Sequence, residues 1–291
     1  MRGLVFNLPE TEYRAIDAVS QSVLKNYKTS PAHGRAAEIG EKKFKRHFNI
    51  GHAGHQAALE PMRFRENTLV IPDEMPDSKG QMKPTNKNMS SFKAWEAAND
   101  GKLILSREER DYVVEMMMSV HRHPLVGAYL GRGKSEVSAF AEMEATFVDR
   151  DTSEIITKMV KVKARFDWLH EVDGLEPFIL DIKTTADFAS KSSFQKTISK
   201  FGYQIQAAFY LEIARLCGYP ATCFKIVPVE KEPPFAVALY TISEHAIEIG
   251  KREFQKLLSV YAMCQHHQEW YGYSQEDLII DLPPYHGREA L

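Results

Sequence analysis

Cysteine is scarce in this chain: three in 291 residues, at Cys217, Cys223 and Cys264, with no C-x-x-C spacing. A disulfide framework, a zinc ribbon and an iron–sulfur cluster are therefore not expected. Long apolar runs are missing as well, none nearing the roughly 18 residues that a membrane span needs. The opening MRGLVFNLPETEYR turns polar too soon for a secretory leader, so the expectation is a cytoplasmic protein with no membrane partner. Nor is there an excess of positive charge, since 37 Lys and Arg face 39 Asp and Glu, a formal net charge of −2. Average charge thus favours no polyanionic partner, and local distribution has to carry any such argument. Internal repeats and low-complexity tracts are also lacking. What remains is an ordinary globular composition, 44% hydrophobic and 26% charged, sufficient for a sizeable core. The length allows one large domain or two small ones.

The chemistry gathers between Arg165 and Lys183. Lys161, Lys163, Arg165 and Asp167 alternate with Val160, Val162, Ala164 and Phe166, the period-2 pattern of a strand with one apolar face. Asp173-Gly174 is a turn signal, and Phe178–Lys183 reads as a second strand. There Asp181 and Lys183 share one face while Leu180 and Ile182 share the other. Asp167 and Asp181 are both seven residues from Gly174, so an antiparallel hairpin about that turn sets them side by side. Two adjacent carboxylates repel unless a cation lies between them, and a neighbouring lysine makes a divalent-metal site the simplest chemical reading. A bare D-x-K triplet is a weak signal, because such triplets are common on solvated strand edges.

Elsewhere the pattern predicts a helix over 13–27, a second from Ala32 to Ile39 with Pro31 in its first turn, and a helical stretch at His55–Leu59. His52 and His55 are three apart and could share a helical face; a histidine beside an apolar helix is more often structural. Residues 72–92, with three prolines, read as a long loop and a candidate substrate-facing segment. Helices return over 93–130, including a capped start at Ser106-Arg107-Glu108-Glu109. Strand-like text follows at Ala139–Val148, then the central hairpin. Helices are expected near Phe194–Lys200 and over Tyr203–Cys217, strands over 221–230 and 233–241, and a final helix over Glu244–Tyr271. Basic residues cluster at 42–46, along 158–165, and at Lys183, Lys191, Lys196 and Lys200. This order predicts an α/β (α+β) fold around one sheet, in a single domain spanning 1–291 whose helical part, about 1–130, packs on a core of about 131–291.

Ordered segments extend the signal beyond one triplet: AVSQSVLKNYKTSPAH at 18–33, NIGHAGHQAALEPMRF at 49–64, FKAWEAANDGKLILSREE at 92–109, HPLVGAYL at 123–130, ARFDWL at 164–169, LDIKTTADF at 180–188 and YQIQAAFY at 203–210. With Asp167 and Asp181-x-Lys183 they make the chain resemble the exonuclease VIII (RecE-type) family of phage and prophage PD-(D/E)xK exonucleases, over about residues 13–285. The resemblance implies a restriction-endonuclease-like core sheet flanked by helices. It implies metal ligation by His55, Asp167 and Asp181, with Lys183 as the catalytic lysine, although Phe166 stands where the signature has proline. Gln206 and Tyr210 match a Q-x-x-x-Y helix of this branch. Glu144 is the expected further catalytic acid, with Glu136 and Glu142 competing for that place. Thr184 and Thr185 are expected near a scissile-strand phosphate, and Arg165, Lys163, Lys191 and Lys196 on the DNA.

Phosphodiester hydrolysis builds negative charge on the attacking and leaving oxygens, which suits Mg²⁺, with Mn²⁺ as a substitute. Lys183 would orient the attacking water and offset charge in the transition state. The family resemblance further implies a 5′→3′ exonuclease acting on linear double-stranded DNA ends, in a bacterial host cell. It would leave 3′ overhangs for a single-strand annealing protein (RecT-like) in recombination, and would work as a homo-oligomeric ring of four copies or three. The alternatives are a structure-specific or single-strand endonuclease on the same core, or a DNA-end-binding recombination protein with weak nuclease activity.

Overall fold

A computed structural model describes residues 2–40, 46–171, 176–274 and 276–282, and of residues 46–50 and 52 the backbone alone. The chain opens with an edge strand, β1 (Gly3–Val5), and a short helix, α1 (Glu10–Ala15). The single helix expected over 13–27 is broken. Val19 and Ser20 form β2, which runs parallel to Val162 and Lys163, before α2 (Gln21–Leu24) and a 3-10 turn, Lys25–Lys28. Lys163 causes the break: its Nζ donates to the carbonyls of Tyr13 (3.0 Å), Arg14 (3.2 Å) and Ile16 (2.6 Å), closing α1 at its negative end. Ser30 Oγ caps α3 (Pro31–Ile39) by accepting from His33 N–H.

Then come α4 (Arg46–Leu59) and α5 (Pro61–Asn67), the latter opened by Pro61. After β3 (Thr68–Val70), the region expected as a loop carries structure: β4 (Glu74–Pro76) pairs antiparallel with β5 (Met82–Pro84). Asp77 Oδ1 accepts from Lys79 and Gln81 N–H and so supplies the turn chemistry that lets this proline-bearing segment fold back. Helix α6 (Ser90–Ala98) and β6 (Leu103–Leu105), a partner of β3, lead to α7 (Arg107–Arg122), which starts in a full Ser106/Glu109 capping box, and to α8 (Pro124–Leu130).

The core sheet follows: β7 (Gly133–Val148) and β8 (Ile155–His170) as a long antiparallel pair, then β9 (Phe178–Thr185). Helices α9 (Lys191–Phe201) and α10 (Tyr203–Leu216) cross to β10 (Cys223–Glu230), parallel to β9, followed by β11 (Tyr240–Thr241) and α11 (Glu244–His267). Among the described residues the sheet order is β1-β7-β8-β9-β10-β11, with β2 on the edge of β8 that β9 leaves open. Both faces are covered, which makes this a mixed α/β fold. Ile179, Phe166, Ala139 and Ile226 face Phe209 and Ile213 of α10 and Phe254 and Leu258 of α11. Leu180, Ile182, Trp168 and Val229 face Ala58 of α4, Met116 of α7 and Val126 of α8. Gly250 lets α11 lie directly on the start of α10, where a Cβ would strike the Gln204 carbonyl. Among the described residues no helix is long and apolar enough to cross a membrane.

Candidate active site

Strands β8 and β9 pair at Trp168–Leu180, Leu169–Ile179 and His170–Phe178. One step further that register sets Asp167 opposite Asp181, and there Asp167 Oδ2 accepts from Ile182 N–H at 2.9 Å. Asp181 is fully buried; its Oδ1 accepts from Gln206 Nε2 of α10 at 2.7 Å, while Oδ2 lies 2.7 Å from Lys183 Nζ without a well-directed hydrogen bond. Asp167 Oδ2 meets His55 Nε2 of α4 at 2.6 Å. The other ring nitrogen, Nδ1, lies 3.4 Å from Glu136 Oε1, and the Glu136 carboxylate accepts from Arg165 Nε. Arg165 is held in turn by the Leu8 carbonyl (2.9 Å) and Ser138 Oγ (3.3 Å). His55 comes close because α4 is narrow on this side: a Cβ on Gly54 would strike Met116, and one on Gly51 would sit 3.6 Å from Thr184 Oγ1.

The charges are unevenly satisfied. Burial works against the ammonium of Lys183, but Asp181 and Asp167 outweigh it and hold its pKa above the usual lysine range. Burial and then the Asp167 charge push Asp181 up to about 6, because a single lysine cannot compensate two carboxylates. Asp167 is buried too, yet His55 and Lys183 hold its carboxyl below the ordinary value. Burial opposes protonation of His55, while the carboxylates of Asp167 and Glu136 more than reverse that and raise it to about 9. The carboxylates around His55 thus favour its protonated form.

The donor set fits a divalent ion. One donor atom each from His55, Glu136 and Asp167 lies within 4.8 Å of the others; Asp181, expected as a ligand, stands outside that group, with its Oδ2 beside Lys183 Nζ. Two carboxylates and one imidazole make an oxygen-dominated set.

Several expected residues sit elsewhere. Glu144 is exposed, opposite Met159, eight residues along β7 from Glu136 and therefore about 26 Å away. Glu136 takes the place assigned to it. The signal was in the register, since 136 + 167 equals both 135 + 168 and 137 + 166, the sums of the pairs on either side. Lys163 is buried against α1 and Arg165 is bound to Glu136; both are engaged within the fold, one as a cap and one as a carboxylate clamp. Thr184 packs beneath α4, and Thr185 is buried, with its hydroxyl accepting from Asp187 N–H. Lys191 and Lys196 are exposed on α9. Tyr210 lies one helical turn from Gln206 and packs on Phe166 at 5.3 Å, with burial raising its pKa far above the ordinary value, so it stands beside Gln206 as a neutral group. The side chain of His52, most of the basic run at 42–46 and the turn at Asp173-Gly174 lie outside the described residues. Sequence reasoning did not single out Lys25, whose Nζ donates to the Phe201 carbonyl at 3.1 Å and whose pKa is lowered by burial and by Lys183 nearby.

Residues 20–280 match the model of the family described as a PDDEXK-like domain of unknown function (DUF3799). The chain belongs to this family. Its fold is that of a PDDEXK-like domain, which supports a nuclease; PD-(D/E)xK nucleases depend on a divalent metal, and this chain carries an acidic and histidine cluster that could hold one. A crystal structure of a protein from Eubacterium rectale, described as a candidate exonuclease, is similar to this PDDEXK-like chain with a TM-score of 0.56 and 15% identity, over 98% of this chain and 99% of that one. At that identity the likeness concerns the fold. A structure of the protein designated SSO0001 aligns at a TM-score of 0.27 and 14% identity, over 70% of this chain and 85% of its own, too low to carry an argument. No functionally curated protein matches the chain.

Proposed function

We propose that this PDDEXK-like protein is a Mg²⁺-dependent exodeoxyribonuclease. It degrades linear double-stranded DNA from its 5′ ends and leaves 3′ overhangs for strand-annealing recombination. The observation that carries the hydrolytic reading is the meeting of His55, Glu136, Asp167, Asp181 and Lys183 at the point where β8 and β9 part. A binding module has no use for a buried carboxylate pair with one lysine between too many charges. Polarity, the annealing partner, the cytoplasmic setting in a bacterial host and a ring of four copies, or three, rest on the sequence resemblance to exonuclease VIII-type enzymes.

His55, Glu136, Asp167 and Asp181 would hold the metal, which when bound acidifies water and offsets charge on the phosphoryl oxygens. Arg165 fixes the direction of Glu136, and Gln206 fixes Asp181, so the carboxylates cannot swing apart when a phosphate enters. The Lys183 ammonium, held beside Asp181, donates a hydrogen bond that orients the attacking water and offsets charge as the bond to phosphorus forms. The exposed lysines of α9 would then guide the backbone of the strand being cut.

The test is digestion of a linear duplex labelled at its 5′ ends or, in parallel, at its 3′ ends, beside a closed circle. Early release of the 5′ label with the circle intact is expected. Nicking of the circle would convert the reading to an endonuclease, and end binding without hydrolysis in Mg²⁺ or Mn²⁺ would remove the catalytic role.

A further inference from the structure

A second group of ligand atoms lies at the opposite end of the long β-hairpin, 13 residues along the chain from Glu136 and so about 40 Å away. Asp149 closes the turn between β7 and β8. Its Oδ1 accepts from Asp151 N–H (2.8 Å) and Thr152 N–H (3.0 Å), contacts that fix the carboxylate and hold its pKa down to about 2. The other oxygen, Oδ2, points at the last turn of α11, where it hydrogen-bonds His266 Nε2 at 3.0 Å and lies 3.9 Å from His267 Nε2. His267 is only 9% exposed, and its Nε2 is buried without a hydrogen-bond partner. Its other nitrogen, Nδ1, lies 3.5 Å from Asp151 Oδ2. A proton on Nδ1, facing Asp151, leaves the Nε2 lone pair aimed at a carboxylate oxygen. Two negative lobes then face each other at 3.9 Å, which a cation between them would correct.

The structure assigns Asp149, His266 and His267 as a second metal site, one that takes a borderline transition ion of the zinc class and stands apart from the acidic centre. The three donor atoms lie within 4.8 Å of one another, a spread that small side-chain shifts close onto bonds of about 2.0–2.2 Å. Two imidazoles to one carboxylate favour zinc, nickel or cobalt over magnesium, the reverse of the preference at the acidic centre. Asp151 orients His267 as carboxylates commonly orient ligating histidines. The negative end of the 24-residue helix α11 adds a field that favours a cation there. Bound at this point, the ion ties the tip of the β7–β8 hairpin to the end of α11 across 117 residues of sequence.

Calorimetric titration of the full chain with zinc chloride, in excess Mg²⁺ to fill the acidic centre, tests the assignment. Wild type and His55→Ala are each expected to take up one tight equivalent of Zn²⁺ and to gain in thermal midpoint. The double variant His266→Gln/His267→Gln should lose both effects while keeping its midpoint in EDTA. Should that variant not fold, Asp151→Asn serves instead, since it leaves every ligand in place and is expected to weaken Zn²⁺ binding about tenfold or more. Zn²⁺ uptake unchanged in the double variant, or in Asp151→Asn where that is used, would overturn the assignment. So would loss of the equivalent on His55→Ala alone.

Discussion

Glu136 has a φ of 51° inside a sixteen-residue strand, a left-handed backbone that costs a residue with a Cβ about 1–3 kcal/mol. The strain turns the carboxylate out of the strand's alternation and onto His55 and Arg165. Glu136→Gly should therefore keep or raise unfolding free energy while metal-dependent cleavage falls by a hundredfold or more. Glu144→Gln, on the exposed far stretch of β7, should leave cleavage unchanged. If the two variants lose activity alike, Glu136 is not part of the site. Lys183 separates binding from chemistry in a different way. Lys183→Ala should lower kcat by about 10²- to 10³-fold with KM nearly intact, since its charge is used as the transition state forms; a raised KM at normal kcat would reduce it to a phosphate contact. His55 gives the pH dependence. Its metal-free pKa of about 9, above the ordinary 6.5, means that its contribution to metal-free stability is complete below 6.5 and fades as pH climbs through 9. A metal ligand must be the neutral imidazole, so at pH 7 binding should release about one proton, and affinity should rise up to about pH 9. Calorimetry in buffers of different ionisation enthalpy measures this directly, and zero release would take His55 out of the ligand set.

At the scale of elements, what could be read in advance depended on whether the deciding contact was local. The meeting of Asp167 and Asp181 was legible because both are seven residues from Gly174, and the observed β8–β9 register has that same centre. The start of α7 was legible because Ser106 and Glu109 satisfy each other's backbone within one turn. The end of α1 was not, because its terminator, Lys163, lies 147 residues away from the Ile16 carbonyl it takes. The period-2 pattern did place Lys163 and Arg165 on definite faces of β8, but it could not show that the N-terminal segment already covers them. Lys163→Met should accordingly cost about 1–3 kcal/mol of stability, leaving three carbonyls at the end of α1 without their donor. DNA affinity of the folded variant should be unchanged. Denaturant melts paired with a binding assay decide the matter, and normal stability with weakened binding would return Lys163 to the DNA surface.

For the whole molecule the difficulty is holding a polyanion with a net charge of −2. Because Lys163 and Arg165 are engaged inside the fold, the exposed cations expected to meet DNA reduce, among the described residues, mainly to Lys191, Lys196 and Lys200 of α9. Each phosphate they neutralise contributes only about −0.9 to the slope of log affinity against log salt, so one subunit alone should bind DNA ends weakly and release them quickly. Closing several copies around the duplex removes that weakness without added charge, because escape then requires the ring to open or the DNA to end. The proposed ring therefore predicts light-scattering masses of three or four chains. It also predicts long tracts digested in one encounter in the presence of excess trap DNA, with tract length nearly insensitive to salt even where the rate of loading falls steeply. A monomeric mass together with release after a few nucleotides would eliminate the ring. Tracts that shorten in step with loading as salt rises would show electrostatic rather than topological retention. Either result leaves hydrolysis at Asp167, Asp181 and Lys183 intact, since that chemistry needs only one subunit.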